Sequence, residues 1–157
     1  MNDIERLLAI EGIRTAMARR ARCLDEKDWT GFADCYTADA VSYSLKSAPG
    51  GKVVGAQAIA AGVAGALNGV VTAHQLHLPE ITIVSDDTAE TICPLNDILS
   101  WEKDGKRFWM RAYGHYRQTY KRVGGAWRIS EHHLTRLLVE HGNEVPTPLG
   151  QVGPGRD

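Results

Sequence analysis

The chain has 157 residues, of which 43% are hydrophobic and 24% are charged, a composition that is ordinary for a single globular domain. The formal net charge of −1 excludes a global basic field, so no nucleic-acid partner is expected. Residues 1–6 show no start of a secretory signal, and no stretch approaches the ~18 apolar residues of a membrane span, so we expect a cytoplasmic protein with no membrane partner.

The first 35 residues are predicted to be helical. Asp25 ends the first helix, and residues 28–30 begin a short second one. Apolar side chains recur in the first helix three or four positions apart, as on one helix face: Ile4, Leu7, Leu8, Ile13, Met17, Ala21 and Leu24.

A turn, a strand and a third helix are predicted next. Residues 37–40 have a turn-like composition, and residues 41–45 alternate between apolar and polar as a strand does. The alanine-rich segment 55–67 has apolar positions at helical spacing. It is expected to end as a helix before Asn68-Gly69.

From residue 70 onward the pattern is that of long strands. Four segments are predicted: 70–84, bent at Pro79; 88–102; 107–122; and 126–139. Turn sequences at residues 103–105 and 124–125 separate the last three segments, so these should pair as antiparallel neighbours.

This order of elements predicts an α+β fold. A sheet of such long strands must twist and curl. We therefore expect a cone-shaped α+β barrel, in which three N-terminal helices pack on a strongly curved, mostly antiparallel sheet that encloses a pocket. The domain is predicted over residues 1–141. Residues 142–157, which contain three prolines, are predicted to be an extended or flexible tail.

No cofactor or metal site is predicted. The sequence has no phosphate-binding glycine loop and none of the usual zinc or serine-hydrolase motifs. Cys23, Cys35 and Cys93 are odd in number and lack CxxC spacing, which argues against a disulfide framework or a zinc site. His74 and His77 should face opposite sides of a strand, so at most one of them faces the pocket and His77 is expected to point away.

Asp25 and His74 are the candidates for acid–base chemistry. His74 lies within an apolar strand segment, where an imidazole needs a partner. A carboxylate beside an imidazole raises the basicity of the ring toward neutral pH. Spacing alone also allows simpler interpretations, in which His74 is a core histidine bonded to backbone and Asp25 is a helix-capping carboxylate.

Several segments resemble a known family. They are Arg22-Cys23-Leu24-Asp25 with Trp29, Tyr36 and Asp39-Ala40-Val41; His74 with Pro79-Glu80-Ile81-Thr82-Ile83; and Tyr120 to Ile129. Over about residues 3–141 the chain resembles the SnoaL-like family of the nuclear transport factor 2-like superfamily. Within it, the chain is most similar to the branch of scytalone dehydratase, bile-acid 7α-dehydratase and hexachlorocyclohexane dehydrochlorinase.

The resemblance implies a cofactor-independent lyase. His74 would be the general base, paired to Asp25, and would remove a C–H proton from a small, mostly apolar ring substrate of aromatic or steroid-like type. A leaving group would then depart, as in a dehydration. Arg136 matches an arginine on the last strand of the bile-acid enzyme, which implies a contact with substrate.

Four further residues are candidates for binding the substrate or its leaving group. Arg20 stands where the resembled dehydratases carry a tyrosine and the dehydrochlorinase a lysine, and His132 stands where the dehydrochlorinase has an arginine. Tyr43 and Tyr113 complete the set.

Two alternatives to the lyase stay open. An isomerase or polyketide-type cyclase could use the same base without a leaving group, and a ligand-binding module would need no such pair. A homo-oligomer is expected, because strands with alternating basic and apolar residues leave an outer face to be covered. A trimer is favoured over a dimer because the resembled branch is trimeric.

Overall fold

Three helices precede most of the sheet in the computed structural model, which describes residues 1–44 and 51–143. The first helix, α1 (Asp3–Glu26), begins with a capping box: the Asn2 side chain accepts from the Glu5 backbone N–H, and the Glu5 carboxylate accepts from the Asn2 backbone N–H. The short α2 (Trp29–Ala33) and then α3 (Ala56–Ala66) follow. The prediction of three N-terminal helices is confirmed.

One sheet contains the seven strands of the described ranges. They are β1 (Tyr36–Ser42), β2 (Val53–Val54), β3 (Val71–Leu76), β4 (Glu80–Ile83), β5 (Thr88–Lys103), β6 (Lys106–Val123) and β7 (Ala126–Gly142). Their order is β2-β1-β7-β6-β5-β3, and β4 also pairs with β5. All these pairs are antiparallel except β1 with β7, which is parallel.

The sheet curls around the helices, so the predicted α+β cone is confirmed. The sheet is not closed, however, because β2 and β3 are its edges, and the molecule is therefore not a complete barrel. The predicted hairpin pairs β5–β6 and β6–β7 are confirmed. Alternate residues of these strands face the helices and form the core with Ile13, Phe32, Tyr36, Ile59, Tyr120 and Ile129, each of them at most 2% exposed.

The predicted strand at residues 70–84 is two strands, β3 and β4, on either side of residues 77–79. Both pair with β5: β3 with Leu95–Ser100 and β4 with Ala89–Ile92. Pro79 ends the ladder because proline has no N–H to donate. The predicted bend was therefore at the right place, and it separates two short partners of one long strand.

The turn predicted at residues 37–40 is wrong, because these residues lie inside β1. The pairing register of β1 with β7 shifts between Tyr36 and Val41, and this irregularity lets Ala38 and Asp39 face solvent while Tyr36 and Ala40 are buried. An exposed pair in the middle of a strand therefore had the composition of a turn. β1 ends at Ser42, so the strand predicted over residues 41–45 ends earlier than expected. Residues 45–50 and the tail from 144 onward lie outside the described residues, so the predicted tail stays a prediction there.

The large apolar side chains at the start of α1 do not join the core. Ile4, Leu7 and Leu8 are each about two-thirds exposed, although they continue the apolar spacing of the buried Ile13 and Met17. No helix in residues 1–44 or 51–143 has the length and apolar character that crossing a membrane requires.

Candidate active site

Asp25 and His74 meet where the last turn of α1 crosses β3. Asp25 Oδ1 is 2.6 Å from His74 Nδ1, and Asp25 Oδ2 accepts a hydrogen bond from the His74 backbone N–H at 2.8 Å. An ionised carboxylate can only accept, so Nδ1 carries a proton, and in the neutral ring Nε2 has the lone pair. The contact predicted between these two residues is confirmed. Nε2 is the nitrogen that could take up a proton from another molecule.

Asp25 is held in its ionised form. Burial alone would raise the pKa of this carboxyl, but hydrogen bonds from the His74 ring and backbone outweigh burial and lower its pKa below the usual value. Thr72 adds a third donor, with its hydroxyl 2.8 Å from Asp25 Oδ1. The carboxylate is thus oriented by β3, the same strand that carries the imidazole.

A second carboxylate, Asp97, lies on the other side of the imidazole. Asp97 is directly opposite His74 in the β3–β5 ladder, and its Oδ2 is 3.7 Å from His74 Nε2. Arg136 from β7 donates to the same Oδ2 at 2.8 Å. Asp97 is completely buried. Within the described residues, Asp97 Oδ1 and Arg136 Nη1 are buried atoms without a hydrogen-bond partner.

No role for Asp97 is predicted from the sequence. The signal in the sequence is its position after Cys93 and Leu95, which places it on the buried face of the strand. A carboxylate on a buried face requires a partner. The identity of that partner depends on the strand register, which the sequence pattern does not specify.

A groove of about 700 Å³ opens between α1 and the β3–β4 edge beside this pair. Asp25 and His74 line it, and its other walls are largely apolar: Met17, Ala18, Ala21, Leu76, Leu78, Pro79 and Cys93. A second groove, of about 510 Å³, reaches Asp25 from the side of α3. The arrangement can therefore present an imidazole to a small molecule in mostly apolar surroundings.

The prediction that His77 points away from the cavity is wrong in part, because His77 also borders the groove. His77 lies just beyond the end of β3, so the alternation of a strand does not apply to it. Its Nε2 is 2.9 Å from Asn96 Oδ1, and its side chain is exposed. It shares the rim of the groove with His74 but makes no contact with a carboxylate in the described residues.

Arg20 and His132 lie together in the closed core and do not line the groove. Arg20 Nε donates to the Tyr36 hydroxyl at 2.7 Å, and Arg20 Nη2 is 3.3 Å from His132 Nε2. The guanidinium carbon also lies 4.7 Å from the centre of the Tyr116 ring. Within the described part of the chain, Arg20 has no carboxylate partner, so its charge is balanced by hydroxyl, imidazole and aromatic groups.

The surroundings of His132 keep it neutral. Burial, with help from the nearby Arg20 charge, lowers the pKa of His132 well below its usual value. The Gln118 amide lies 2.9 Å from His132 Nδ1 and connects it to the Tyr120 hydroxyl. This cluster is a polar core that supports the sheet behind the groove.

The two tyrosines expected at the substrate lie elsewhere. Tyr43 follows β1 and stacks on the His133 ring, with ring centres 4.2 Å apart. Tyr113 is opposite Asn96 and alternates along β6 with the buried Ala112 and Gly114, so it faces the outer side of the sheet. Neither residue lines the groove beside His74.

The comparisons with known proteins agree with this fold. A model of the SnoaL-like domain matches residues 5–133. The search of curated proteins found no relative of the chain. Among solved structures, a candidate scytalone dehydratase from Novosphingobium aromaticivorans has a TM-score of 0.79 at 18% identity, over 97% of this chain and 100% of that one.

Two dehydrochlorinases are similar in the same way. A type 2 hexachlorocyclohexane dehydrochlorinase has a TM-score of 0.78 at 16% identity, over 94% of this chain and 100% of that one. The type 3 enzyme from Novosphingobium barchaimii has a TM-score of 0.73 at 16% identity, over 92% and 99%. At identities this low, the structural similarity establishes a shared fold alone.

Proposed function

Because this chain belongs to the SnoaL-like domain family, we propose that it is a cofactor-independent lyase that carries out a dehydratase-type elimination on a small, mostly apolar ring substrate. The observation that carries the proposal is the 2.6 Å contact between Asp25 Oδ1 and His74 Nδ1 at the wall of an apolar groove. A histidine with only a structural role needs no ionised carboxylate at one nitrogen while its other nitrogen stays available.

In this proposal His74 Nε2 removes the proton from carbon. Asp25 stabilises the imidazolium that forms, and Asp97, 3.7 Å from Nε2, adds a second negative charge beside it. The apolar walls of the groove strengthen both interactions by limiting the access of water. The electron pair of the C–H bond forms the new double bond as the leaving group departs from the adjacent carbon.

Asp97 and Arg136 suit a substrate oxygen. Asp97 Oδ1 can accept one hydrogen bond and Arg136 Nη1 can donate one, and neither is engaged within the described residues. A hydroxyl group both donates and accepts, so it could bond to either atom. Neither residue lines the groove beside His74 in this structure, so a contact between Arg136 and substrate stays a prediction. We assign Arg20 and His132 to support of the sheet behind the site.

A small aromatic probe tests the base without knowledge of the natural substrate. In 5-nitrobenzisoxazole, a base takes the ring C–H proton, the C–H electron pair completes a nitrile, and the N–O bond breaks to release a coloured phenolate. We expect the wild-type protein to accelerate this reaction. His74→Ala and Asp25→Asn should each reduce the rate by about 10²–10⁴-fold, the range for losing a positioned general base.

The matched control is His77→Ala, which removes the neighbouring histidine of the same groove and should change the rate little. Thermal melting of each variant establishes that the fold is kept. A wild-type rate equal to that of His74→Ala contradicts the proposal and favours a ligand-binding module.

The type of reaction is tested with cyclic β-hydroxyketones as substrates. Loss of water creates a conjugated ketone, which is followed by its ultraviolet absorbance and by the mass of the product. A product that retains the mass of the substrate would instead indicate an isomerase that uses the same base.

A further inference from the structure

Lys27 ends α1 in a backbone conformation that favours glycine. Its φ of 62° and ψ of 26° lie in the left-handed region, where its N–H donates to the Leu24 carbonyl at 3.3 Å. Glycine is the usual residue at such a helix end because it has no Cβ to clash with the backbone. A lysine at this position therefore indicates a role for its side chain.

The side chain of Lys27 begins a chain of hydrogen bonds that ends on the imidazole. Lys27 Nζ donates to Thr72 Oγ1 at 2.9 Å, and the Thr72 hydroxyl donates to Asp25 Oδ1 at 2.8 Å. The same Oδ1 contacts His74 Nδ1. An ammonium group has only donors, so the Thr72 oxygen must accept from Lys27, and its single proton is left for Asp25. Lys27 thus determines the direction of the Thr72 hydroxyl.

The hydrogen bonds from Lys27 to Asp25 are partly buried. Thr72 is 7% exposed, and Lys27 and Asp25 together border the second groove, on the side of α3. Burial lowers the pKa of Lys27, and the charge of Asp25 partly offsets this effect. Helix α3 contains no ionisable residue. Other charged and titratable groups lie around Asp25 and His74: Glu11, Arg14, Arg22, Glu26 and Lys27 on or just after α1, His77 after β3, Asp97 on β5 and Arg136 on β7.

We propose that Lys27 is a positioning residue, which acts through the Thr72 hydroxyl to hold Asp25 in line with the His74 imidazole. This inference rests on the proposed function of Asp25 and His74 as the pair that abstracts the proton. Loss of a positive charge beside a coupled acid–base pair makes the pair take up a proton at higher pH. The acidic limb of the pH profile must therefore move upward when Lys27 is neutralised.

Three substitutions separate the ammonium group from the backbone strain. Lys27→Met removes the charge and keeps the strained conformation, Lys27→Gly removes both, and Lys27→Arg keeps the charge. On 5-nitrobenzisoxazole, the Met and Gly variants should each lose about 10-fold in kcat/KM, since misplacing a catalytic group can cost up to ~100-fold. Their acidic limbs should move to higher pH, and that of Lys27→Arg should stay near the wild-type position. Lys27→Gly should melt no lower than the wild type.

Thr72→Val tests the route of the effect, because valine has the shape of threonine and no hydroxyl. It should reproduce the loss seen with Lys27→Met, and the double variant should be no slower than either single variant. Losses that multiply in the double variant overturn the inference, because they mean that Lys27 does not act through Thr72.

Different results would overturn the proposed function and the positioning role of Lys27. A wild-type rate equal to that of His74→Ala contradicts the function itself. If His74→Ala is inactive while Lys27→Met and Lys27→Gly keep both the rate and the pH profile of the wild type, the positioning role of Lys27 alone is overturned.

Discussion

At the scale of single residues, His132 and His74 differ in the charge of their neighbours. His132 is 2% exposed and lies beside the permanent charge of Arg20, whereas His74 faces two carboxylates from the wall of a groove. Burial and the Arg20 charge lower the pKa of His132, whereas the His74 ring has negatively charged neighbours. Two histidines on strands of one sheet therefore have neighbours of opposite charge.

The low pKa of His132 predicts a stability that falls with acid. The folded protein keeps His132 neutral, while in the unfolded chain this residue has a pKa near ~6.5. Its contribution is therefore fully present above about pH 6.5. Below that value it is lost by up to about 1.4 kcal/mol per pH unit, because the unfolded chain binds the proton more readily. Urea unfolding at about pH 7 and about pH 5 measures the difference.

The control for this prediction is His132→Leu, which removes the titrating group. This variant is expected to be less stable at neutral pH and to lose less stability between the two pH values than the wild type. An equal loss in both proteins would assign the acid sensitivity to other groups.

The Asp25–His74 contact could be predicted from the sequence, while the role of Asp97 could not. Asp25 ends a strongly periodic helix and His74 lies in an apolar segment, and the resemblance to a known family connected them. The placement of Asp97 beside His74 depends on the register between β3 and β5. That register is determined only when all the intervening residues, including β4, have folded against the same strand.

At the scale of elements, irregularities in the strands decide which side chains reach the site. The β6–β7 register shifts between Tyr113 and Gly114, where Tyr113 pairs with Leu138 and Gly114 pairs with Arg136. One extra residue, Leu137, is accommodated on β7 at this point. The shift leaves Arg136 beside Asp97, with Leu137 exposed.

Gly114→Ala should destabilise the protein. A Cβ at residue 114 would collide with the Thr135 carbonyl oxygen, which is backbone and cannot move aside as a side chain can. The expected loss is about 1–3 kcal/mol, as for other overpacked positions. It is measured as a lower midpoint of urea unfolding.

Gly65→Ala is the matched control, because Gly65 lies in α3 with open space around its missing side chain. Alanine there should stabilise the protein by roughly 0.5–1 kcal/mol through helix propensity. If Gly114→Ala were as stable as the wild type, the close approach of β6 and β7 would not be a constraint.

The long elements could be predicted from the sequence and the irregular ones could not. β5, β6 and β7 have continuous strand patterns separated by glycine turns, and their pairing is confirmed. β1 was displaced by several residues because its polar centre lies on a register shift, and the two-residue β2 is too short to have a periodic pattern. Tyr43 and Tyr113 were expected at the substrate, but neither lines the groove. Residue type alone does not show where in the sheet such a side chain lies.

At the scale of the whole molecule, large apolar side chains are exposed at several places in the described residues, and at two of them they lie close together in sequence. Ile4, Leu7 and Leu8 are exposed at the start of α1, and Leu137 and Leu138 are exposed near the end of β7. Large exposed apolar patches are typical of sites of association. These residues agree with the prediction of a homo-oligomer, which stays a prediction.

Light scattering at micromolar concentration should give a mass above that of one chain, with a trimer favoured over a dimer. Leu7→Glu with Leu8→Glu, or Leu137→Glu with Leu138→Glu, should lower that mass if the altered region is an interface. Val84→Glu, at an exposed apolar residue elsewhere, is the control. A wild-type protein with the mass of one chain would contradict the prediction.

The parallel pairing of β1 with β7 has a consequence for how the protein is made. Residues 36–42 hydrogen-bond with residues 129–132, so an early strand is completed only by the last one described. On the ribosome, the helices and β1 must wait, with their apolar faces uncovered, until nearly the whole domain has been synthesised. Closing so long a loop favours slow folding. A nascent chain released before β7 would leave Tyr36 without its partner strand, and such truncated products should be ready clients for chaperones and proteases.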